Sequence, residues 1–205
     1  KNSTIGYSAN VIDCPPTQKD REETLQKVID QTGASAMHPY NDMDVIEGNS
    51  TATMELLEDY PDLDAIFAPI GGGGLISGAC LAAKYFSNAK VYGAEPEGAD
   101  DAYRSFQKGE IIPMVNPQTI ADGLRTSLGE IGFEIMKTHL DSIFTVSESE
   151  IVSAMKWMWQ KMKIIIEPSS AVPLAALIKN HELFKDQQVG IIISGGNVDL
   201  DNLPF

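Results

Sequence analysis

Four consecutive glycines follow an apolar segment and precede small and apolar residues, in the stretch PIGGGGLISG (69–78). Glycine loses more conformational freedom on folding than any other residue, so this run indicates a backbone that something approaches closely. Close strand–helix packing in a tight turn is one explanation, but it usually needs only one or two glycines. A glycine loop at a helix N-terminus instead offers several backbone N–H groups to an anion. We therefore predict a phosphate cradle made by Gly71, Gly72, Gly73 and Gly74.

The spacing only partly constrains the type of phosphate ligand. The glycines do not fit the G-x-G-x-x-G dinucleotide fingerprint, and Ala79 stands where a P-loop requires lysine. Glu95 follows at about 20 residues, where an acid that binds a ribose would lie. Glu95 also begins EPEGADD (95–101), whose carboxylates suit either a hard divalent cation or a solvated acidic turn. A nucleotide-binding domain and a cation site both stay open at this point.

The amino-acid composition excludes some classes of binding partner. The 205 residues carry 29 Asp and Glu against 15 Lys and Arg, and the net charge of -14 argues against nucleic acid or an anionic membrane surface. No apolar run approaches the ~20 residues of a membrane span. Cys14 and Cys80 lie in apolar stretches, as expected for buried thiols in a reducing compartment. We expect a cytoplasmic protein with a small-molecule ligand.

Strand and helix patterns alternate along the chain and position the glycine run. This alternation predicts an α/β fold with an open, mainly parallel sheet and helices on both faces, and such sheets bind ligands at the carboxyl ends of their strands. Ser147 and Glu150 have capping-box spacing, and the irregular stretch 108–127 predicts a functional loop. The predicted strands lie at 9–14, 34–40, 63–70, 89–96, 141–146 and 189–194, and the predicted helices at 17–33, 42–60, 75–86, from Ser147 and from near Pro168.

Five motifs in this order carry a family resemblance: PIGGGGLISG, GAEPEGADD, TIADGLRTSLG, IIEPSSAVPLAAL and IIISGGNVDL. Together they resemble the serine/threonine dehydratase and serine racemase family of fold-type-II pyridoxal phosphate (PLP) enzymes, whose fold is like that of tryptophan synthase β. The resemblance implies that the glycine run holds the cofactor phosphate and that Gly123 and Glu167 line the cofactor. It also implies that Ser194 hydrogen-bonds the pyridine nitrogen, which suits elimination or racemisation better than transamination.

The resemblance further implies a cation site and two contacts with the substrate. Glu95, the main-chain carbonyl of Ala99, and Asp101 match a divalent-cation site, and an all-oxygen shell of this kind suits Mg²⁺, Mn²⁺ or Ca²⁺. Arg21 and Thr126 match positions that approach the substrate carboxylate, to which an arginine can bind through two hydrogen bonds. The cation is expected to hold its loop beside the cofactor without contacting the substrate.

Two motifs of the family are missing from this chain. The resemblance implies a cofactor-binding lysine in a Ser-Phe-Lys-x-Arg-Gly type motif, but none of the twelve lysines has that context. A Ser-Ser-Gly-Asn-His-Gly type loop that grips the substrate is also missing. Both are expected to precede Lys1, so the chain is expected to be N-terminally incomplete, with the second half of a small domain (1–38) and most of a large PLP-binding domain (39–205). A smaller departure is EGNST (47–51), where relatives carry Gly-Gln-Gly-Thr.

These observations predict a PLP-dependent ammonia-lyase that converts L-serine, L-threonine or a related β-hydroxy amino acid to a 2-oxo acid and ammonia. Serine racemisation is expected beside it, and the family implies a homodimer. The chain without the lysine segment is expected to be inactive and to contain no catalytic residue of its own. The alternative is a non-catalytic module that binds a phosphate compound or a partner chain. A less favoured alternative is an NAD- or ATP-binding domain that uses Glu95 to bind a ribose.

Overall fold

The structure, a computed structural model, describes residues 2–15 and 18–205. Contacts divide the chain into two compact units, Lys1–Met37 and His38–Phe205. The sequence boundary was predicted one residue later, after residue 38. The larger unit contains the whole parallel sheet.

In the first unit, the described residues form two helices, α1 (Asn2–Gly6) and α2 (Gln18–Thr32). The helix predicted at 17–33 is confirmed over the described residues, and position 17 lies outside them. Gly33 follows α2 with a φ of +70°, the left-handed conformation in which glycine commonly ends a helix. The strands predicted at 9–14 and 34–40 are wrong, because neither segment pairs with a strand among the described residues. An apolar pattern cannot by itself supply the hydrogen-bonded neighbour that a strand requires.

Four parallel strands form the sheet of the second unit, in the order β3-β2-β1-β4. β1 is buried along its whole length, as expected for a parallel strand covered on both faces. The strands predicted at 63–70, 89–96, 141–146 and 189–194 are thus confirmed, with shorter bounds. These bounds are β1 (Ala65–Pro69), β2 (Lys90–Pro96), β3 (Ser142–Val146) and β4 (Val189–Ile191).

Six helices accompany these strands in the second unit. Four of them were predicted, whereas two short ones, after β2 and before β3, were not. Their bounds are α3 (Met43–Asp59), α4 (Gly74–Phe86), α5 (Asp101–Lys108), α6 (Glu130–His139), α7 (Glu148–Met162) and α8 (Pro168–Lys179).

Side chains of β1 point alternately into two apolar cores, one on each face of the sheet. Ala65 and Phe67 belong to the core that includes buried residues of α7 and α8. Ile66 and Ala68 belong to the core that includes buried residues of α4 and α6. The predicted α/β architecture, a parallel sheet with helices on both faces, is therefore confirmed.

Local hydrogen bonds fix the segments around the carboxyl ends of the strands. Ser147 and Glu150 form the predicted capping box at the start of α7. The long irregular segment after α5 is held by the Gln118 N–H, which donates to the Gly98 carbonyl at 2.8 Å. It is also held by the Ile120 N–H, which donates to the Glu148 carboxylate at 2.8 Å. These hydrogen bonds position the short 3₁₀ helix Asp122–Leu124 at the edge of the sheet where β1 ends.

The two cysteines are not paired with each other. Cys80 is buried in the second unit and Cys14 is half-buried in the first. Burial, with a smaller contribution from the charge of Asp141, raises the pKa of the Cys80 thiol to about 12. None of the helices in the described part of the chain is long and apolar enough to cross a membrane.

Candidate functional site

A cavity of about 380 Å³ opens beyond the carboxyl end of β1. This is the edge where open parallel sheets bind their ligands. Its wall is formed by the segment before α3, α3 itself, the loop after β1, the segment from the 3₁₀ helix to Thr126, the start of α8 and the segment after β4. The wall includes Tyr40, Asn49, Gly71, Gly72, Gly73, Gly74, Gly123, Thr126, Glu167, Ser169 and Ser194. All predicted cofactor residues therefore line one cavity, together with Thr126.

The glycine run presents backbone N–H groups without protein partners. Gly73 has a φ of +93° and precedes the first residue of α4. The N–H of Ser77 donates to the Gly73 carbonyl at 3.0 Å. In the part of the chain that the structure describes, no backbone or side-chain acceptor bonds the N–H groups at 71–76. With the positive end of the α4 dipole behind them, these groups suit a phosphate.

Close packing within the protein also requires glycine in this run. A Cβ atom on Gly72 would lie 2.2 Å from Cγ of Tyr40, whose ring covers the loop. A Cβ on Gly71 would lie 2.9 Å from the Gly123 carbonyl oxygen, and one on Gly74 would lie 3.0 Å from Tyr40 Cα. Both explanations for the four glycines, close packing and phosphate binding, thus apply to the same residues. One side of the loop packs against protein and the other side is open to the cavity.

Thr126 places an unpartnered polar atom beside the loop. Its Oγ1 is buried and forms no hydrogen bond with any described residue. It would lie 3.2 Å from a Cβ on Gly71. Gly123 is fixed next to it, because its N–H donates to Ser169 Oγ at 3.2 Å. A buried hydroxyl without a partner on a cavity wall indicates that a ligand group completes its hydrogen bonding.

Ser194, predicted to bond the pyridine nitrogen, and Glu167, predicted to line the cofactor, lie where the segment after β4 meets the start of α8. Ser194 Oγ is 2.9 Å from Ser170 Oγ, and Ser170 Oγ in turn accepts the Gly195 N–H at 2.7 Å. Glu167 accepts the Asn197 N–H at 3.0 Å and so fixes the turn after the strand. The start of α8 therefore orients the Ser194 hydroxyl, which is exposed to the cavity.

The predicted cation ligands form a separate buried group at the end of β2. Glu95, Ala99 and Asp101 are each at most 1% exposed. Glu95 accepts the N–H groups of Ala102 and Tyr103, at 3.2 and 2.7 Å, in the first turn of α5. Both of its oxygens thus face protein, which argues against the ribose-binding role. Asp101 accepts the Leu128 N–H at 3.2 Å with one oxygen, while its Oδ1 is buried without a partner.

Burial makes this pair of carboxylates costly to ionise. Burial and the charge of Asp101 raise the pKa of Glu95 well above its usual value. Burial likewise raises the pKa of Asp101 to about 7, against the lowering effect of the Leu128 N–H. Over residues 2–15 and 18–205, no three His, Cys, Asp or Glu side chains converge as a metal-binding cluster. A cation here would therefore be held by two carboxylates, a carbonyl and water.

Arg21 lies in α2, within the first unit. Its predicted contact with the substrate stays a prediction, because the two units are described separately. The remaining predicted site residues all belong to the second unit.

Sequence reasoning missed Tyr40 and gave Asn49 no role, although both line the cavity. Tyr40 follows His38, whose Nδ1 accepts the Asn41 N–H at 2.9 Å, and the two rings meet edge to face. No periodic pattern marks such a turn. Asn49 did carry a signal, since it lies in the departing segment EGNST.

Comparisons with known proteins agree with this geometry. Residues 2–195 match the family described as "Pyridoxal-phosphate dependent enzyme". The chain is 48% identical over 206 residues to a beta-hydroxyaspartate dehydratase of Paracoccus denitrificans, covering 100% of this chain and 65% of that protein. It is 49% identical to a serine racemase of Dictyostelium discoideum, covering 98% of this chain and 64% of that protein.

A solved structure shows the same fold. The structure of maize serine racemase superposes with a TM-score of 0.93 at 39% identity, covering 97% of this chain and 64% of that one. The chain thus spans about 65% of the length of the relatives it matches. The matched motifs, the parallel sheet and the glycine-lined cavity at its carboxyl edge together show that this chain belongs to the pyridoxal-phosphate dependent enzyme family.

Proposed function

We propose that the protein is a PLP-dependent ammonia-lyase that acts on L-serine, L-threonine or hydroxyaspartate and also racemises serine. The observation that carries the proposal is the cavity where unbonded N–H groups, the Thr126 hydroxyl and the Ser194 hydroxyl converge. These donors fit a flat, anionic phosphate compound. The relatives described as a serine racemase and a beta-hydroxyaspartate dehydratase favour small β-substituted amino acids as substrates.

Each part of the cavity has a task in this function. Bound PLP would supply an electron-withdrawing ring that acidifies the Cα–H of an amino acid. The N–H groups of the glycine run would hold the phosphate, and the Ser194 hydroxyl would meet the edge of the ring. Thr126 would donate its unpartnered hydroxyl to the substrate carboxylate. Tyr40, Leu75 and Leu124 would keep water from the wall of the cavity.

The test uses the full-length protein, loaded with PLP and supplied with serine, threonine and hydroxyaspartate in turn. Formation of 2-oxo acid and ammonia in equal amounts supports the lyase, and appearance of D-serine supports the racemase. Thr126→Ala, which removes the hydroxyl, is expected to raise KM about 10-fold with a smaller effect on kcat. Tight PLP binding without turnover of any of these substrates would favour the non-catalytic module instead.

We also propose that a divalent cation, Mg²⁺, Mn²⁺ or Ca²⁺, binds Glu95, Asp101 and the Ala99 carbonyl. Support comes from the unpartnered Asp101 Oδ1 and from the burial of two neighbouring carboxylates, which a cation would compensate. Chelation with EDTA is expected to lower the melting temperature, and Mg²⁺ or Ca²⁺ to restore it. Asp101→Asn should abolish this metal response, whereas Asp122→Asn, an exposed control, should keep it. A melting temperature insensitive to metal in the wild type would refute the cation site.

We further propose that the protein is a cytoplasmic homodimer that binds neither nucleic acid nor a membrane surface. The negative net charge of -14 supports the absence of polyanionic partners. Trp157 and Met162 of α7 support dimerisation, because they are 45% and 57% exposed and would be covered in an interface.

A further inference from the structure

Helix α3 approaches the N-terminal end of α4 closely because α4 presents glycine there. A Cβ on Gly78 would lie 2.6 Å from the Ser50 nitrogen and 2.8 Å from the Ile46 carbonyl oxygen. Gly74, one turn earlier on the same face, would bring a Cβ within 3.3 Å of Asn49 Nδ2. The missing side chains thus let the Asn49 carboxamide reach the first turn of α4.

The Asn49 side chain has no hydrogen-bond partner among the described residues, although it is half-buried. It lies beside Gly74, within the stretch of unbonded N–H groups. On the other side of the loop, Thr126 Oγ1 is a second polar atom without a partner. Unpartnered polar side chains on both sides of a row of free N–H groups indicate that bound ligand groups complete the hydrogen bonding of this wall, and the group that lies on the N–H row is the one within reach of Asn49.

We propose that the Asn49 carboxamide donates a hydrogen bond to the cofactor phosphate and so completes, from α3, a cradle otherwise built from the main chain of the glycine run. The inference rests on the proposed function, because it requires PLP in this cavity. Charge-assisted hydrogen bonds are the stronger ones, so a single amide donor contributes measurably to affinity for a phosphate. Asn49 is a binding residue in this account and takes no part in proton transfer.

The experiment compares PLP with pyridoxal, which lacks the phosphate, on the full-length protein. Dissociation constants are measured by spectroscopic titration for the wild type, Asn49→Ala and the nearly isosteric Asn49→Leu. Both variants are expected to weaken PLP binding by about 10-fold and to leave pyridoxal binding unchanged. Asn49→Asp should weaken PLP binding further, because its carboxylate repels the phosphate, whereas Asn49→Gln should restore part of the affinity.

The matched control is Ser50→Ala in the same turn of α3. The Ser50 hydroxyl already donates to the Glu47 carbonyl at 2.6 Å, so its loss should leave the preference for PLP over pyridoxal unchanged. Equal weakening of both compounds in the Asn49 variants would mean a merely structural role and would overturn the inference. Unchanged PLP binding in both variants would overturn it as well. Failure of the wild type to bind PLP would instead refute the proposed function on which the inference rests.

Discussion

At the scale of single residues, the glycine run has three structural roles: it adopts a special backbone conformation, it allows close packing, and it leaves N–H groups free. Gly73 supplies a left-handed backbone conformation, and Gly72 leaves room for the ring of Tyr40. Gly71 leaves room for Gly123 of the 3₁₀ helix and for Thr126, which follows that helix. The N–H groups of the run stay free because helix geometry gives the first turn of α4 no acceptor. The four glycines were recognised in the sequence, but the side chain that packs on them was not.

The first prediction concerns Gly72→Ala. Its Cβ would lie 2.2 to 2.3 Å from three ring atoms of Tyr40, which must move together with the segment that carries them. We expect a loss of about 1–3 kcal/mol in the free energy of unfolding, as for overpacked sites. Urea unfolding of the full-length protein measures it. The control is Gly48→Ala in α3, where a Cβ meets nothing within 4 Å and stability should rise by about 0.5–1 kcal/mol. Equal behaviour of the two variants would contradict the packing of Tyr40 on the loop.

At the scale of elements, the position of α3 depends on a face of α4 without side chains. Gly78 faces backbone atoms of α3, which cannot rotate away as a side chain can. The start of α7 illustrates a purely local determinant, since Ser147 and Glu150 satisfy each other's backbone N–H groups. The capping box can be predicted from the spacing of two residues in the sequence. The close approach of α3 to α4 can be seen only when both helices are in place.

The second prediction is that Gly78→Ala shifts α3 away from α4. A Cβ at 2.6 Å from the Ser50 nitrogen forces the helix backbones apart, at a cost of about 2 kcal/mol or more in stability. Because Asn49 moves with α3, PLP affinity should fall more than pyridoxal affinity. Titration with the two compounds, alongside thermal unfolding, checks both effects. A stable variant with wild-type PLP affinity would show that the two helices are not this close.

The third prediction concerns pH and the cap of α7. Burial raises the pKa of Glu150, but hydrogen bonds from Ser147 and Lys179 outweigh it and leave the pKa below its usual value. A lowered folded-state pKa means that the stabilisation exists above the unfolded pKa of about 4.3 and is lost as pH falls through the folded value. Glu150→Gln should therefore lower the free energy of unfolding at pH 7. The difference in this free energy between the variant and the wild type should shrink toward pH 3, which is roughly one unit below the unfolded pKa.

Ser147→Ala provides the companion measurement for the same cap. This substitution is expected to lower the free energy of unfolding by about 1 kcal/mol. Because Glu150 still ionises in this variant, part of the pH dependence should remain. A Glu150→Gln effect that is constant from neutral to acidic pH would show that the charge of Glu150 does not contribute.

At the scale of the whole molecule, parallel strands bring distant sequence motifs to one edge. Motifs at the ends of β1, β2 and β4 meet there because every strand of the sheet points in the same direction. The Met- and Trp-rich helix α7 divides its residues between two roles. Met155 and Met158 are buried in the core, whereas Trp157 and Met162 lie at the surface.

The fourth prediction is that this surface is an interface between two copies. Sedimentation of the full-length protein should give twice the monomer mass. Trp157→Lys should yield the monomer, because a charge on a buried apolar contact is costly. The control is Tyr85→Lys, which changes a 78% exposed aromatic residue on α4 and should leave the dimer intact. A monomeric wild type would refute the homodimer, and a dimer unaffected by Trp157→Lys would place its interface elsewhere.

The sequence by itself determined the class of fold and the four strands of the sheet, and it singled out the glycine run. Its resemblance to a known family, and no local pattern, implied the other predicted residues that line the cavity. The strands, the start of α7 and the glycine loop follow from local rules, because apolar periodicity, capping spacing and glycine content each leave a short-range pattern. Tertiary structure alone decided that 9–14 and 34–40 pair with no described strand, that Tyr40 covers the glycine run, and that Asn49 reaches it from α3. Each of these depends on a partner far away in sequence, and the distance of closest approach between two elements is set by packing, which no local pattern encodes.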